Sequence, residues 1–334
     1  MGMNTMRAMV IDGFGDPDVL RPAEMPIPAP APGEVLVQLA YAAANPADWK
    51  ARRGWLSQYF DYHFPFVLGF DGAGIVTAVG EGVTHVALGD RVVLATNQGM
   101  GLNGSYAEYA ISAAERTVPL PANLSLARAA ALPTAGMTAL EALFDVGQLA
   151  AGHKVLINGG AGGTGGYAIA LAAAAGAQVA VTCSAGNADY VRALGAELAI
   201  DYRAEQVGAA IARFAPEGLD LVVDAVGQES LLEAVDWVRP GGMIAAIGTL
   251  IPDETPHDAV RAAARGVTVI PTVSTFPNQG RQLARLVQEL ARGTFDRIQI
   301  ETLPLDQVAE AHRRIEAGHV RGKLVLAINP ALTD

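Results

Sequence analysis

The middle of the chain alternates short apolar runs with segments of helical composition. Six runs have the length and the branched residues of buried strands: Lys154–Asn158, Gln178–Thr182, Leu198–Asp201, Leu219–Asp224, Met243–Ile247 and Val267–Ile270. Segments such as Asn187–Leu194 and Ala204–Phe214 lie between them and are typical of helices. Strands that alternate with helices form parallel β-α-β units, so the pattern predicts a doubly wound α/β sheet over residues 124–271.

The two ends of the chain have the pattern of a β-rich domain. The prolines from Pro26 to Pro32 predict an extended lead-in to a strand over Glu34–Tyr41. Glycines recur from Gly69 to Gly89, which is typical of short strands that meet at bulges and corners. The elements predicted after residue 272 are a helix over Arg281–Arg292 and strands over Ile298–Ile300 and Lys323–Ile328. We therefore expect a β-rich domain over residues 1–123 and 272–334, with the doubly wound domain inserted into it.

A glycine-rich loop follows the first strand of the predicted doubly wound sheet. Gly160, Gly162 and Gly165 form a G-x-G-x-x-G pattern directly before an apolar helix. The first glycine permits a tight turn, the second lets a pyrophosphate approach the backbone, and the third lets the helix pack closely. The residues predicted to bind the pyrophosphate of a dinucleotide are Gly160, Ala161, Gly162, Gly163, Thr164 and Gly165.

The end of the second strand bears on the choice of nicotinamide cofactor. NAD-specific sheets place an acidic residue there for the adenosine 2′-hydroxyl, whereas this chain has Thr182-Cys183-Ser184. A 2′-phosphate would meet no carboxylate, and Ser184, Tyr202 and Arg203 are candidates to bind it. No Lys or Arg lies between Ser184 and Tyr190. The sequence therefore favours NADPH and leaves NADH as the alternative.

Composition narrows the classes of partner. The formal net charge of −11 argues against nucleic acids and anionic membranes as partners. Cys183 is the only cysteine, which is typical of a reducing cytoplasm. The most apolar run, Tyr167–Val181, is interrupted by Gly176 and Gln178 and is too short for a membrane span. We expect a cytoplasmic protein that acts on a small molecule.

Several motifs resemble one known family. They are Asn45–Gly54, which is similar to the N-P-x-D-x-x-x-R-x-G signature of quinone oxidoreductases, Gly69–Gly80 with Gly89–Val92, Asn158–Gly165, Arg239–Gly242 and Gly322–Val325. Together they resemble the zinc-independent quinone oxidoreductases of the medium-chain dehydrogenase/reductase superfamily over nearly the whole chain. The resemblance implies a GroES-like β-barrel catalytic domain, a Rossmann nucleotide-binding domain and a homodimer.

The resemblance also implies roles for particular residues. Ser184 and Tyr202 would lie near the 2′-phosphate, and Asn45, Asp48 and Lys50 would form the wall of the active-site cleft. The residues that would border the nicotinamide are Thr134, Gly227, Gly248 and Thr249. Zinc-dependent relatives have a Cys near position 45 and a His-Glu pair after position 69.

This chain has Asn45 and Phe70-Asp71 at the zinc-ligand positions, so we expect no metal site. Without a Lewis acid, hydride transfer from NADPH to a quinone is favoured over alcohol oxidation. The expected activity is that of an NADPH:quinone oxidoreductase. A 2-alkenal or enone double-bond reductase is an alternative, and a non-catalytic NADPH-binding redox sensor is an alternative of another class.

Candidate catalytic donors to the acceptor oxygen are Asn45, Lys50 and Tyr59, together with the Thr134 hydroxyl. The first three each have a structural alternative. Asn45 is equally suited to the turn before Pro46, Lys50 to solvent, and Tyr59 to aromatic packing. Asp48 is expected to orient Lys50 or Arg52 rather than to contact substrate.

Overall fold

The structure is a computed structural model of the 334-residue chain, and it describes residues 5–227, 230–247, 258–273, 276–318 and 320–333. The chain divides into two compact units. Unit 1 comprises Met1–Thr134, Thr275–Arg292 and Ile300–Asp334, and unit 2 comprises Ala135–Ser274 and Gly293–Gln299. Each unit therefore draws on more than one segment of the chain.

The N-terminal segment of unit 1 is mostly β-structure. Its strands are β1 (Thr5–Ile11), β2 (Arg21–Pro26), β3 (Glu34–Ala44), β4 (Phe66–Val67), β5 (Asp71–Val79), β6 (Arg91–Ala95), β7 (Tyr109–Ala113) and β8 (Thr117–Pro119). Its helices are α1 (Pro46–Arg52), α2 (Leu126–Ala130) and α3 (Pro133–Leu140), the last of which crosses the unit boundary after Thr134.

Unit 2 contains the parallel sheet. Its strands are β9 (Lys154–Asn158), β10 (Gln178–Cys183), β11 (Leu198–Asp201), β12 (Leu219–Asp224), β13 (Val238–Ile247) and β14 (Thr268–Thr272). Its helices are α4 (Gly163–Ala174), α5 (Ala188–Leu194), α6 (Val207–Phe214), α7 (Ala234–Trp237) and α8 (Ala259–Ala264). The strand order is β11-β10-β9-β12-β13-β14, and every pairing is parallel. The predicted doubly wound sheet is confirmed.

The C-terminal segment completes unit 1. It contains α9 (Phe276–Ala291), β15 (Ile300–Pro304), α10 (Val308–Glu316) and β16 (Lys323–Ala327). The seven-stranded sheet has the order β15-β16-β3-β5-β6-β8, and β7 also pairs with β3. Along one edge of β3, β7 pairs with residues 34–38 and β16 with residues 41–44. A smaller sheet has the order β2-β1-β4.

The glycine spacing of the first third does mark irregular strand pairing. The register between β3 and β5 shifts between Leu39 and Tyr41. A Cβ atom on Gly74 would lie 2.0 Å from the Gln38 carbonyl oxygen, so only glycine fits this approach of two backbones. The predicted bulges are thus present in unit 1.

Several predicted boundaries were wrong, among them the start of β13, which is Val238 rather than Met243, and the end of β3, which is Ala44 rather than Tyr41. The strand predicted over 298–300 is β15, which begins at Ile300, because Ile298 is 1% exposed and is buried within unit 2 instead. Helix α9 begins at Phe276 rather than Arg281. Helix α6 begins only at Val207, after a turn in which the Asp201 carboxylate accepts from the Arg203 N–H.

Candidate functional site

The glycine loop between β9 and α4 has three glycines in different surroundings. A Cβ atom on Gly165 would lie 2.3 Å from the Gly159 carbonyl oxygen, and one on Gly160 would lie 2.1 Å from a methyl carbon of Val181. A Cβ on Gly162 would meet nothing closer than 3.5 Å. Gly162 is the N-cap of α4, so its open side adjoins a helix N-terminus. This arrangement leaves room for an anion beside backbone N–H groups.

A buried polar network lies beneath the glycine loop. The Thr182 hydroxyl donates to Asn158 Oδ1 at 2.5 Å and accepts from the Gly159 N–H at 3.1 Å. Asn158 Nδ2 donates to Asp224 Oδ1 at 2.8 Å. The same Asp224 oxygen accepts from the Gly227 N–H at 3.1 Å. Asn158, Thr182 and Asp224 are each at most 4% exposed, so the network fixes the loop to the ends of three strands.

The structure brings Ser184 and Tyr202 together, at the adjacent ends of β10 and β11. Cys183 is the register partner of Asp201, and the Tyr202 N–H donates to the Cys183 carbonyl at 3.4 Å. The Arg203 guanidinium lies 5.5 Å from the centre of the Tyr202 ring, and Tyr202 is 52% exposed. The two residues predicted to bind the 2′-phosphate and one cation therefore lie together at the carboxyl ends of two neighbouring strands.

In unit 1, a cluster of buried polar side chains lies where β3, β5, α1 and β16 meet. Asn45, Asp48, Asp71 and Lys323 are all at most 3% exposed. Asn45 Nδ2 donates to Asp71 Oδ2 at 2.9 Å, and the Lys323 ammonium donates to Asn45 Oδ1. The Thr134 N–H and hydroxyl both donate to Asp71 Oδ1, at 3.0 and 2.6 Å. We call these five residues the Asn45 cluster.

The structure places Asp48 differently from the prediction that it orients Lys50 or Arg52. Its carboxylate accepts from the backbone N–H groups of Asn45 at 2.8 Å and Phe70 at 3.1 Å. Asp48 is the third residue of α1, where a carboxylate reaches back to the residue that precedes the helix. It therefore fixes the start of α1 to the turn before β5.

Burial dominates the electrostatics of the Asn45 cluster. Burial and the nearby Asp71 charge raise the pKa of Asp48 to about 7. Burial also raises the pKa of Asp71, although the Lys323 ammonium and the hydrogen bonds from Thr134 and Asn45 act to lower it. Burial lowers the pKa of Lys323, although the carboxylates of Asp71 and Asp48 act to raise it. Two buried carboxyl groups share one ammonium, so protonation of Asp48 near neutral pH relieves the excess negative charge.

The three predicted catalytic donors lie in different surroundings. Asn45 is 1% exposed, and its amide binds Asp71 and Lys323. Lys50 is 8% exposed rather than solvated, and its ammonium lies 5.5 Å from the Trp49 ring centre. Tyr59 is 64% exposed, so its ring is not packed in a core.

The aromatic stretch around Tyr59 packs through other rings, which surround Tyr62. The ring centroid of Tyr62 lies 5.0 Å from that of Phe14, 4.9 Å from that of Phe60 and 4.8 Å from that of Phe66. Aromatic packing was the structural alternative for Tyr59. In this stretch it is Tyr62, rather than Tyr59, that packs against other rings.

Sequence reasoning missed a second group of polar residues, which lie on α1, on α10 and in the segment before β7. His312 and Tyr106 are both unexposed, with the Tyr106 hydroxyl 3.1 Å from His312 Nε2. The unexposed Arg52 side chain forms an ion pair with Glu316 at 2.9 Å. Burial and the Arg52 charge lower the pKa of His312 to about 3, so this histidine is neutral. Helical spacing of His312 and Glu316 on α10 is the available sequence signal.

The remaining predicted cofactor residues are only partly described. Gly227 adopts φ +125° and lies beside Asp224, while Gly248 and Thr249 lie outside the described residues. Within the described ranges, no group of three His, Cys, Asp or Glu side chains is arranged to hold a metal ion. Nor does any helix in those ranges have the length and apolar character to cross a membrane.

Comparison with protein families identifies two domains. The family described as the alcohol dehydrogenase GroES-like domain matches residues 31–122. The family described as zinc-binding dehydrogenase matches residues 194–326.

Comparison with individual proteins covers nearly the whole chain. The chloroplastic quinone-oxidoreductase QR1 of Triphysaria versicolor is 30% identical over 98% of this chain and 99% of its own. The chloroplastic NADPH-dependent alkenal/one oxidoreductase of Arabidopsis thaliana is 31% identical over 96% of this chain and 79% of its own. A mycobacterial protein solved in complex with NADPH has a TM-score of 0.84 and 29% identity, over 97% of this chain and 100% of its own.

Proposed function

Because the chain belongs to the quinone oxidoreductase family of the medium-chain dehydrogenases and reductases, we propose that it is an NADPH-dependent reductase whose acceptor is a quinone. The glycine loop of unit 2 carries the proposal. Its packing requires glycine at Gly160 and Gly165, whereas a Cβ atom on Gly162, beside a helix N-terminus, would make only an ordinary contact with the Gly159 carbonyl oxygen. Such a loop fits the pyrophosphate of a dinucleotide.

Two further parts of NADPH have candidate residues in this proposal. Ser184, Tyr202 and Arg203 would bind the 2′-phosphate, since one cation and two hydroxyl groups lie at the adjacent strand ends. Thr134 and Gly227, with Gly248 and Thr249, would border the nicotinamide. Bound NADPH supplies the hydride. The Asn158–Asp224 network holds the loop in shape, because it ties the loop to β9, β10 and β12.

Lys50 and Tyr59 are the proposed donors to the acceptor oxygen. A donor near the developing oxyanion stabilises the transition state more than the ground state. The exposure of the Tyr59 ring supports its role as a donor, whereas Lys50 lies buried beside Trp49. Asn45 differs from both, because its amide is engaged in the Asn45 cluster.

A second candidate acceptor is the activated double bond of a 2-alkenal or enone. The 31% identity to an alkenal/one oxidoreductase favours it, and the cofactor site serves both reactions. A polycyclic ortho-quinone and a medium-chain 2-alkenal, compared at equal NADPH, separate the two by initial rate of NADPH oxidation. A faster quinone rate supports the first proposal, and a faster alkenal rate supports the second. NADH is the cofactor control.

The Gly162→Leu variant is the matched negative control for that assay. The backbone of Gly162 has φ −77°, which any residue adopts, so the variant should fold and lose NADPH binding. If the wild-type protein binds NADPH but reduces neither acceptor, a non-catalytic redox sensor becomes the better description. Burial raises the pKa of the Cys183 thiol, which disfavours that cysteine as the sensing group.

A homodimer and a cytoplasmic location are part of the same proposal. Both follow from the family resemblance and from cysteine usage. Light scattering at micromolar protein concentration measures the mass directly, and a monomeric mass would overturn the dimer. Fractionation of the source cells tests the location.

A further inference from the structure

We propose that Lys323, Asn45 and Asp71 form a positioning relay for the Thr134 hydroxyl, which accepts a hydrogen bond from the carboxamide amine of the nicotinamide. The inference rests on the proposed function, in which Thr134 borders that ring. Of the four residues, only Thr134 contacts the nicotinamide; Lys323, Asn45 and Asp71 act through it. All contacts of the relay lie within unit 1.

The Thr134 hydroxyl is the donor in its hydrogen bond with Asp71. Its hydroxyl carries one hydrogen and donates it to Asp71 Oδ1 at 2.6 Å. Towards any further partner, the hydroxyl oxygen is then an acceptor. The carboxamide amine is the N–H donor on a nicotinamide ring, so it is the group that this oxygen would bind. In this proposal Thr134 is therefore an acceptor, and it does not donate to the oxygen of a quinone or enolate.

Asp71 holds Thr134 through two donors at one oxygen. The Thr134 N–H reaches Asp71 Oδ1 at 3.0 Å, in addition to the hydroxyl. These two bonds fix the start of α3 as well as the rotation of the hydroxyl. The other carboxylate oxygen accepts from Asn45 Nδ2 at 2.9 Å, so both oxygens of Asp71 are held by donors. The carboxylate cannot turn without breaking a bond at one end.

Asn45 links Asp71 to Lys323 with a defined amide orientation. The ammonium of Lys323 has only hydrogens to offer, so it must face the amide oxygen. The amide nitrogen then faces Asp71, which needs donors. The Lys323 ammonium also donates to the Ala44 carbonyl at 3.3 Å. A flipped amide would place donor against donor and acceptor against acceptor, so the buried lysine determines which way Asn45 points.

The test compares the binding of NADP⁺ with that of its 3-acetylpyridine analogue, in which a methyl group replaces the carboxamide amine. Isothermal titration calorimetry gives both dissociation constants without any turnover. We define the analogue penalty as the dissociation constant of the analogue divided by that of NADP⁺. We expect Thr134→Val to reduce this penalty by about fivefold relative to wild type, because one hydrogen bond is already absent. Thr134→Ser retains the hydroxyl and should retain the wild-type penalty.

The relay is tested with Lys323→Met. Loss of the ammonium frees the Asn45 amide, so the penalty should fall towards the Thr134→Val value. In the Thr134→Val/Lys323→Met double variant it should fall no further. Lys323→Met leaves a buried carboxylate without its cation, so this variant risks not folding. In that case the double variant Asp71→Asn/Lys323→Met, which removes both charges, is measured in its place. A purely structural lysine would weaken both nucleotides equally and leave the penalty unchanged.

Failure of the relay and failure of the proposed function give different results. A wild-type protein that binds neither nucleotide contradicts the proposed function itself. Binding of both with an unchanged penalty in Thr134→Val leaves that function standing and refutes the acceptor role of Thr134. A penalty that falls in Thr134→Val but not in Lys323→Met refutes the relay alone.

Discussion

Gly165→Ala adds a single carbon to the tightest point of the glycine loop. The new Cβ would lie 2.3 Å from the Gly159 carbonyl oxygen and 2.7 Å from the Gly160 Cα. Cβ atoms are not found within 3.0 Å of a neighbour, so the loop backbone must move by at least about 0.7 Å. Both contacts are backbone atoms, so no side chain can rotate out of the way.

The cost of that movement follows from the packing around the loop. Overpacking of one methyl group in a tight site destabilises a protein by about 1–3 kcal/mol. A loss of this size lowers the melting temperature of a domain this large by roughly 3–10 °C. Displacement of Gly159 also strains its N–H contact with Thr182, so NADPH binding should weaken by about tenfold or more.

Gly162→Ala is the matched control, since the same carbon is added three residues earlier. Its nearest neighbour would be the Gly159 oxygen at 3.5 Å, which is ordinary contact. We expect its melting temperature to stay within about 2 °C of wild type, because surface changes of this kind cost about 0.5 kcal/mol. NADPH binding should nevertheless weaken, because the methyl group occupies the open side of the loop.

Thermal unfolding followed by circular dichroism and NADPH fluorescence titration measure the two effects separately. The reasoning predicts that Gly165→Ala changes both quantities and Gly162→Ala only the second. A Gly165→Ala variant with wild-type stability would show that the loop packing argument is wrong. Wild-type NADPH affinity in Gly162→Ala would instead refute the assignment of this loop to the pyrophosphate.

Three further changes have distinct expected outcomes. Ser184→Asp introduces a carboxylate at the proposed 2′-phosphate position, so fluorescence titration should show NADPH affinity at least about tenfold weaker and NADH affinity less affected. His312 is neutral in the folded protein, with a pKa of about 3 against 6.5 unfolded. Its contribution to stability is therefore complete above pH 6.5 and is lost, by up to about 1.4 kcal/mol per pH unit, as the pH falls towards 3. Urea titrations of His312→Gln should lack this component. Glu316→Gln leaves the buried Arg52 without its carboxylate and should lower the free energy of unfolding by about 2 kcal/mol in the same titrations.

Each of these expectations has its own control. Ser184→Ala removes the hydroxyl without adding charge, and equal weakening of both nucleotides by Ser184→Asp would argue against a 2′-phosphate site. Asp48, with its pKa raised to about 7, stabilises most at low pH and opposes His312, so the comparison is between wild type and variant. Identical pH profiles would contradict a neutral buried His312. An unchanged unfolding free energy in Glu316→Gln would show that Arg52 is satisfied by other groups.

The parallel sheet was readable from the sequence because its central strands, β9, β10 and β12, are buried on both faces. Each appears as a continuous apolar run, as in Val155-Leu156-Ile157, which is fully buried. The glycine loop was readable for a related reason, because its spacing reflects local backbone contacts. The family and the α/β fold class predicted from these motifs are confirmed by the comparisons.

The Asn45 cluster was not readable in the same way. Asn45 and Lys323 are 278 residues apart, and no local pattern records that β16 pairs with β3. Each polar residue in isolation is typical of a turn or a strand end. The sequence identified Asp71 only as a residue at a zinc-ligand position, yet its carboxylate is the acceptor at the centre of the cluster. Long-range pairing, rather than composition, gives these residues their surroundings.

The late position of β16 has a consequence for biosynthesis. A ribosome completes β3 and β5 long before Lys323 leaves the exit tunnel, so during most of translation the two aspartates have no ammonium and one edge of β3 is open between residues 41 and 44. Closing an unstructured loop of 278 residues costs about 5 kcal/mol in chain entropy. Prior folding of the contiguous segment Ala135–Ser274 shortens that loop. Nascent-chain folding of unit 1 should therefore finish only after Lys323 has left the exit tunnel, and chaperones that shelter open strand edges should act on it until then.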